Sequence, residues 1–365
     1  MASIILLSGY SVLMLFYYFG WTRTPLFKPE KNSPQTKVSV VIAARNEETT
    51  IGSCIQSILH QDYPPELYEV IVVDDHSLVP VPARKGRNVR ALPLPATAKG
   101  KKQAIAYGIQ HAAGDLIITT DADCVVQNTW LSTVVAYYEK YRPKMIAAPV
   151  AFTDEQSWLE KWQSLDLCAM MAVTAGAIAN GFPNMCNGAN LAYEKKVFEE
   201  AGGFHGIDRQ PGGDDVFLML RIAKKYPGGV RFLKSQDAIV FTRPEKTLSG
   251  LFQQRLRWLS KGTAYPDWRV SAVLVFSWLF NVSILANLFM GIFRSEFLAM
   301  GIISLVFKTL SEFPLLAGGC DFFRKKKMLW GILPAQAMHI LYVAVAGGAS
   351  RFVKYNWKGR VYPAG

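Results

Sequence analysis

Cysteine is scarce in this chain, and its five positions, Cys54, Cys124, Cys168, Cys186 and Cys320, show no C-x-x-C spacing. The odd count excludes a fully paired disulfide framework and fits reduced thiols in a cytoplasmic setting. Histidine is equally sparse, and the five residues lack the paired spacing of a zinc site. Glycine is missing where a phosphate-binding loop would need it. The first β-branched run is followed by Arg45-Asn46-Glu47-Glu48, which argues against a nucleotidyltransferase.

Charge is absent from residues 2–20, a stretch that fits the ~20 apolar residues a helix needs to cross a bilayer. A cleaved signal peptide would have a charged start, a shorter apolar core and a small-residue cleavage site. Here Met1 leads straight into the apolar run, and Trp21, Arg23, Lys28 and Lys31 follow it. The pattern predicts an anchor whose C-terminal end, and with it the following domain, is cytoplasmic.

Acidic residues are outnumbered, 28 against 40 Lys and Arg, for a net charge of +12. The basic residues cluster beside apolar segments, so a border against anionic membrane lipids explains them better than nucleic acid does. Three further apolar stretches lie at about 272–293, 297–319 and 329–349. The middle one carries Lys308, Glu312 and Pro314. Ionisable groups inside a membrane are costly unless paired, and the four-residue spacing of Lys308 and Glu312 lets them pair on one helix face. Placing the basic clusters at 324–327 and 351–360 on one side of the membrane requires the middle segment to dip in or lie flat. Two to three C-terminal membrane helices are therefore expected.

Between these ends the chain alternates. Strands are predicted at 38–43, 70–73, 88–92 and 116–120, and helices at 47–60, 101–112 and 128–141, which implies a mostly parallel α/β sheet covered on both faces. Ligands bind such sheets beyond the C-terminal strand ends. There stand Arg45-Asn46-Glu47, Asp74-Asp75 and Asp121-Ala122-Asp123.

The Asp121 and Asp123 carboxylates share a short turn and can approach one hard cation, Mg²⁺ or Mn²⁺, that shares its remaining positions with phosphates. Asp74 and Asp75 suit recognition of a base, or alternatively a helix N-cap. Glu47 and Lys101 are candidate donor contacts, the lysine with a helix N-terminus behind it, although exposed basic loops are common. Gly212-Gly213-Asp214-Asp215 leads into a helical run, so the aspartates are either a general base for an acceptor hydroxyl or an ordinary N-cap. Gln253-Gln254-Arg255-Leu256-Arg257-Trp258 reads either as an interfacial anchor or as a tryptophan platform for a sugar with Arg257 near a diphosphate.

In order along residues 36–262, VSVVIAARNEE, VVDDHS, GKKQAIAYGI, TTDADC, NGANLAY with GGF, GGDD and QQRLRW resemble the inverting family-2 glycosyltransferases of GT-A fold. The likeness is strongest to the membrane-bound branch that includes cellulose, hyaluronan and ceramide-glucosyl synthases. It implies that Asp74 and Asp75 bind the nucleotide, and Asp121 and Asp123 the metal and diphosphate. It implies that Asp215, with Asp214 beside it, is the base, and that Gln254, Arg257, Trp258 and Asn187 meet substrate. The departures are Asp214 where relatives carry Glu, and Ala106 where some carry Asn.

The expected organisation is an anchor at 1–22, a GT-A domain (Rossmann-like, mostly parallel sheet) at 36–245, and an interfacial helix at 246–265. A membrane region at 270–350 and a basic tail at 351–365 complete it. The expected activity is transfer from a nucleotide-sugar donor, UDP-linked, to a lipid or glycan acceptor. A processive polysaccharide synthase and a non-catalytic sugar- or nucleotide-binding scaffold are the alternatives, and the intact aspartates weigh against the scaffold.

Overall fold

The computed structural model describes residues 1–30, 34–81, 88–207, 212–261 and 265–362. Lys31, residues 262–264 of the expected interfacial segment and the last three residues of the basic tail lie outside them. In chain order the elements are α1 (Ala2–Arg23), β1 (Val38–Ala44), α2 (Ile51–Leu59), β2 (Tyr68–Asp74), β3 (Val89–Pro93), α3 (Lys101–Gln110), β4 (Leu116–Asp121), β5 (Val125–Val126), α4 (Trp130–Tyr141), β6 (Met145–Ala147), β7 (Val150–Phe152) and α5 (Trp158–Ala179). Then follow β8 (Leu191–Glu194), α6 (Lys195–Glu200), α7 (Asp214–Lys225), β9 (Val230–Phe232), β10 (Val240–Thr242), α8 (Leu248–Leu259), α9 (Trp268–Met290), α10 (Ser295–Phe322), α11 (Ile332–Ala349), β11 (Tyr355–Trp357) and β12 (Arg360–Tyr362).

The chain forms two compact units. One comprises Thr24–Asp154 and Gly181–Pro244; the other Met1–Arg23, Glu155–Asn180 and Glu245–Gly365. The first is α/β. Its main sheet runs β3-β2-β1-β4-β8-β6-β9, with β8 antiparallel to both neighbours. Val40, Val41 and Ile42 of β1 and Val70, Ile71, Val72 and Val73 of β2 are wholly buried, as expected of strands covered on both faces. Register places the chemistry. Ala44 pairs with Asp74 on one side of β1, and Ala43 with Asp121 on the other, so both aspartates reach the same edge within one residue. The expected helix at 47–60 starts only at Ile51, because Glu47 to Thr50 form a turn in which Thr50 Oγ1 donates to Glu47 Oε2 at 2.8 Å.

The second unit is a helical bundle with a small terminal hairpin, β11–β12. Among the described residues, five helical segments are long and apolar enough to cross a membrane: the helices α1, α5, α9 and α10, and Lys326–Ala349, which contains α11. The last three are the expected C-terminal stretches. α10 continues through Pro314 as one helix, and Lys308, fully buried, donates to Glu312 Oε1 and Gln336 Oε1, both at 2.7 Å. The hydroxyl of Tyr10 and the amide of Gln336 also donate to Glu312. The anticipated pair is therefore extended by α1 and α11, which lowers the cost of a charge among apolar helices.

α5 is the element that hydropathy missed. It starts with a capping box in which Ser157 and Glu160 satisfy each other's backbone N–H groups, and most of its length is buried against α1 and α10. It meets α1 at Gly20 and Gly176. A Cβ on Gly20 would lie 2.1 Å from Gly176 O, and one on Gly176 2.2 Å from Tyr17 O, so only glycine permits this contact between helix backbones.

Candidate active site at the carboxyl edge of the sheet

The candidate side chains of the α/β unit stand at this edge on strand ends, on helix starts and in the turns that follow the strands. β4 delivers Asp121, its side chain about one third exposed. The following turn presents Asp123, which is exposed. From the start of α3, Lys101 Nζ reaches Asp121 Oδ1 at 2.5 Å and Asp214 Oδ2 at 3.9 Å. Burial alone would push the Lys101 pKa down. Asp121 and Asp214, aided by Asp215, outweigh it and hold the ammonium well above the usual lysine value.

α7 begins at Asp214, and its N-cap is Gly213 at φ +71°, a backbone angle that glycine adopts without strain. The N-cap alternative for the aspartates is thereby corrected: both occupy the first turn, where a carboxylate gains from the N-terminal dipole. Their surroundings differ. Asp214 is 6% exposed and turned to Lys101, whereas Asp215 is half-buried. The Gly188 N–H donates to Asp215 Oδ2 at 3.1 Å and the Val216 N–H to Oδ1 at 2.8 Å. These two backbone N–H groups fix the orientation of the Asp215 carboxylate at the start of α7.

Gly188 belongs to the Asn187–Asn190 segment that precedes β8. Thr119 Oγ1 donates to its carbonyl at 3.2 Å, and Asn187 Oδ1 accepts from the Ala189 N–H at 3.0 Å. Asn190 bridges Pro149 O and Ala238 O and accepts from Trp130 Nε1. The segment is thus pinned from β4, α4 and the turns that precede β7 and β10. Gly188, whose backbone N–H anchors Asp215, carries no side-chain signal and was not among the expected site residues.

The remaining candidates hold loops. Asp74 accepts from the Ser77 and Val81 N–H groups at 3.0 and 3.1 Å, shaping the turn after β2; the alternative of a helix cap is not what it does. Asp75, 2% exposed, accepts from the Gly100 N–H at 3.1 Å and so ties that turn to the start of α3. Arg45 Nη1 donates to the carbonyls of Asp75 and His76. Lys102, beside Lys101, is buried and donates to Ile207 O.

Three thiols back the carboxylates. Burial first, then Asp123 and Asp121, push Cys54 and Cys124 up, and burial, then Asp215 and Asp214, push Cys186 up. They stay protonated and are poor nucleophiles or ligands. Among the described residues no group of three or more His, Cys, Asp or Glu side chains forms a metal cage. Asp121 and Asp123 offer hard oxygens at the turn after β4, which fits a Mg²⁺ or Mn²⁺ ion completed by water and phosphate.

Gln254, Arg257 and Trp258 belong to α8, in the helical unit. Within that unit Arg255, between them, is a buried charge: its Nη2 lies 2.7 Å from Asp166 Oδ2 on α5, and its guanidinium is 4.5 Å from the Trp258 ring centre. Gln253 Oε1 accepts from the Asn356 N–H, and Arg257 lies over Trp357 at 5.2 Å.

Residues 39–204 match the family model described as Glycosyl transferase family 2. The chain is 24% identical over 268 residues to a beta-monoglucosyldiacylglycerol synthase of Synechocystis sp., covering 70% of this chain and 54% of that protein. It is 29% identical over 250 residues to an N-acetylglucosaminyltransferase of Rhizobium meliloti, covering 63% and 57%. A poly-beta-1,6-N-acetyl-D-glucosamine synthase of Staphylococcus epidermidis is 21% identical over 271 residues, covering 71% and 63%. The chain thus spans between half and two thirds of the length of these relatives. Among solved structures it resembles the mannosyltransferase PcManGT from Pyrobaculum calidifontis in complex with GDP-Man and Mn²⁺, at TM-score 0.55 and 19% identity over 94% of this chain and 97% of that one. The α/β unit has the GT-A fold.

Proposed function

We propose that this chain is an inverting glycosyltransferase that moves a sugar from a nucleotide diphosphate donor to a lipid or lipid-linked acceptor at the cytoplasmic face of a membrane. The observation that carries the reading is the constellation at the sheet edge: Lys101 between Asp121 and Asp214, with Asp215 held beside them by the Gly188 N–H. The family-2 match and the names of the relatives support the activity. The five apolar helical segments and the basic residues beside them support the membrane location.

Asp215 takes the proton of the acceptor hydroxyl as that oxygen attacks the anomeric carbon from the face opposite the nucleotide. The bond from that carbon to the diphosphate oxygen breaks, and the sugar is inverted. Asp215 is better suited than Asp214 because it is the more accessible of the two. Lys101, charged throughout the physiological range, meets negative charge that develops on the diphosphate. Asp121 and Asp123 would hold a Mg²⁺ or Mn²⁺ ion, which when bound would supply positive charge to the same leaving group. Asp75 and the turn shaped by Asp74 and Arg45 form the nucleotide's seat, with Glu47 beside it. Asn187, Gln254, Arg257 and Trp258 are assigned to the acceptor and sugar.

The test is a panel of nucleotide sugars offered to the detergent-solubilised protein with lipid acceptors, scored for nucleoside diphosphate release and glycosylated product. Release with one donor supports the reading, and silence across donors, acceptors and both metals overturns it. A processive polysaccharide synthase is the second reading, supported by the Q-x-x-R-W spacing and the polysaccharide synthase among the relatives. Product length separates the two.

A further inference from the structure

Within the helical unit, α8 and α11 enclose a groove of about 300 Å³. Leu248, Leu251 and Phe252 of α8 face Leu341, Tyr342 and Val345 of α11 across it, and the surface it offers is almost entirely carbon. Residues 248, 251, 252 and 255 recur at helical spacing, so the groove takes one whole face of α8. Arg255 lines it as well but offers an occupant little. Its charge is met by Asp166 at 2.7 Å, and the rings of Trp162, Trp258 and Tyr342 lie within 6 Å of its guanidinium.

We infer that this groove holds one hydrocarbon chain of the lipid acceptor, an assignment that rests on the proposed transfer to a lipid. Three observations select that occupant. A polar ligand or an extended peptide needs hydrogen-bond partners, and these walls supply almost none. The volume has room for roughly ten groups of the size of a water molecule, enough for part of one chain, whereas an α-helix is about 10–12 Å across. Leu341 and Val345 are each about half exposed on a helix that is apolar enough to cross a membrane, so the groove runs into a surface already suited to acyl chains. The helix that walls it also carries Gln254, Arg257 and Trp258, so a chain seated here tethers its head group to the segment assigned to the acceptor.

The experiment uses the full chain in phosphatidylcholine nanodiscs containing a diacylglycerol with a mid-chain diazirine. Light-driven labelling is mapped by mass spectrometry without donor present, so its outcome does not depend on catalysis. Label is expected on the peptides that contain 248–252 and 341–345. Val345→Trp, which fills the groove from a half-exposed position, should cut that label at least fivefold. Ile303→Trp, at an exposed site on α10, should leave it unchanged. Leu248→Trp is a second filler, should Val345→Trp fail to fold as judged by nucleotide-sugar binding. Groove label that survives both fillers, or label spread evenly over all apolar helices, overturns the assignment.

A kinetic arm then links the chain to the acceptor: Val345→Trp should raise the KM for diacylglycerol about tenfold while Ile303→Trp does not. An unchanged KM with the label lost would show that the bound chain is not the acceptor's and overturn the assignment. Absence of transfer by the wild type, with the groove labelled, would count against the transferase reading and, with it, the acceptor identity of the chain.

Discussion

Lys101 Nζ lies 2.5 Å from Asp121 Oδ1, and the same ammonium faces Asp214 from 3.9 Å. One cation thus stands between the strand-end carboxylate and the helix-start carboxylate. Replacing it by methionine leaves Asp121 and Asp214 to repel one another and removes positive charge from the leaving-group side. Lys101→Met should lower kcat/KM on the order of 100-fold, read by coupled release of nucleoside diphosphate. Because the two carboxylates raise its pKa despite burial, Lys101 stays charged below the usual lysine value near 10.4. Any loss of activity between pH 7 and 9 should therefore persist unchanged in the Lys101→Arg variant.

The neighbours Asp214 and Asp215 should separate kinetically. Asp215→Asn is expected to lose 10²–10⁴-fold in kcat with nearly unchanged donor affinity, since a base meets the acceptor rather than the nucleotide. Asp214→Asn should alter the Lys101 surroundings and shift donor affinity as well. The reverse pattern would move the base by one residue.

Removal of the ion tests the third assignment. Activity should vanish in excess EDTA and return with Mn²⁺ or Mg²⁺, and Asp123→Ala should abolish turnover and weaken donor binding measured by calorimetry. Full turnover in EDTA would refute metal dependence.

The Arg255–Asp166 pair, with side chains only 4% and 6% exposed, predicts a large stability effect in the helical unit. Breaking a buried pair by removing one partner costs about 3–5 kcal/mol. Asp166→Ala should therefore lower the thermal midpoint in detergent sharply, and Arg255→Met combined with Asp166→Leu should recover much of the loss. An Asp166→Ala midpoint equal to the wild type would contradict the pairing.

Lys234 supplies a pH test. Burial lowers its pKa to about 8, and its ammonium donates to Thr24 O at 3.2 Å. Below that value both folded and unfolded states hold the proton, and the burial penalty is fully present. Between about 8 and the unfolded value near 10.4, the unfolded state binds more protons, so this group's contribution to stability rises with pH. Lys234→Met should stabilise the protein more at pH 7 than at pH 10, as melting curves at the two pH values would show.

The positions of Asp74 and Asp121 were legible because short β-branched runs announce strands, and a parallel sheet delivers all its carboxyl ends to one edge. The partner of Lys101 was not: a basic loop before a helix looks the same whether its lysine meets phosphate or carboxylate, and only long-range packing decides. Asp214 and Asp215 were indistinguishable for a related reason, since one residue of helix rotation separates a buried carboxylate from an accessible one. α5 escaped notice because Glu160, Lys161, Gln163 and Asp166 dilute its apolar character. Those polar residues are tolerated because most find partners within the bundle, Asp166 with Arg255 and Gln163 with Glu245. Arg255 was passed over beside Gln254 and Arg257, as composition does not reveal which way a helix is turned.

The placement of α5 also constrains how the chain can be made and cut. It is synthesised between β7 and β8, yet its neighbours are α1, already emerged from the ribosome, and α10, still to come. During translation its glycine contact with α1 can form early, while the face meant for α10 must wait. A fragment spanning only 24–244 would carry this apolar helix stripped of both neighbours, so solubility of the sheet-bearing part calls for replacing 155–180 by a short polar linker rather than for trimming the ends.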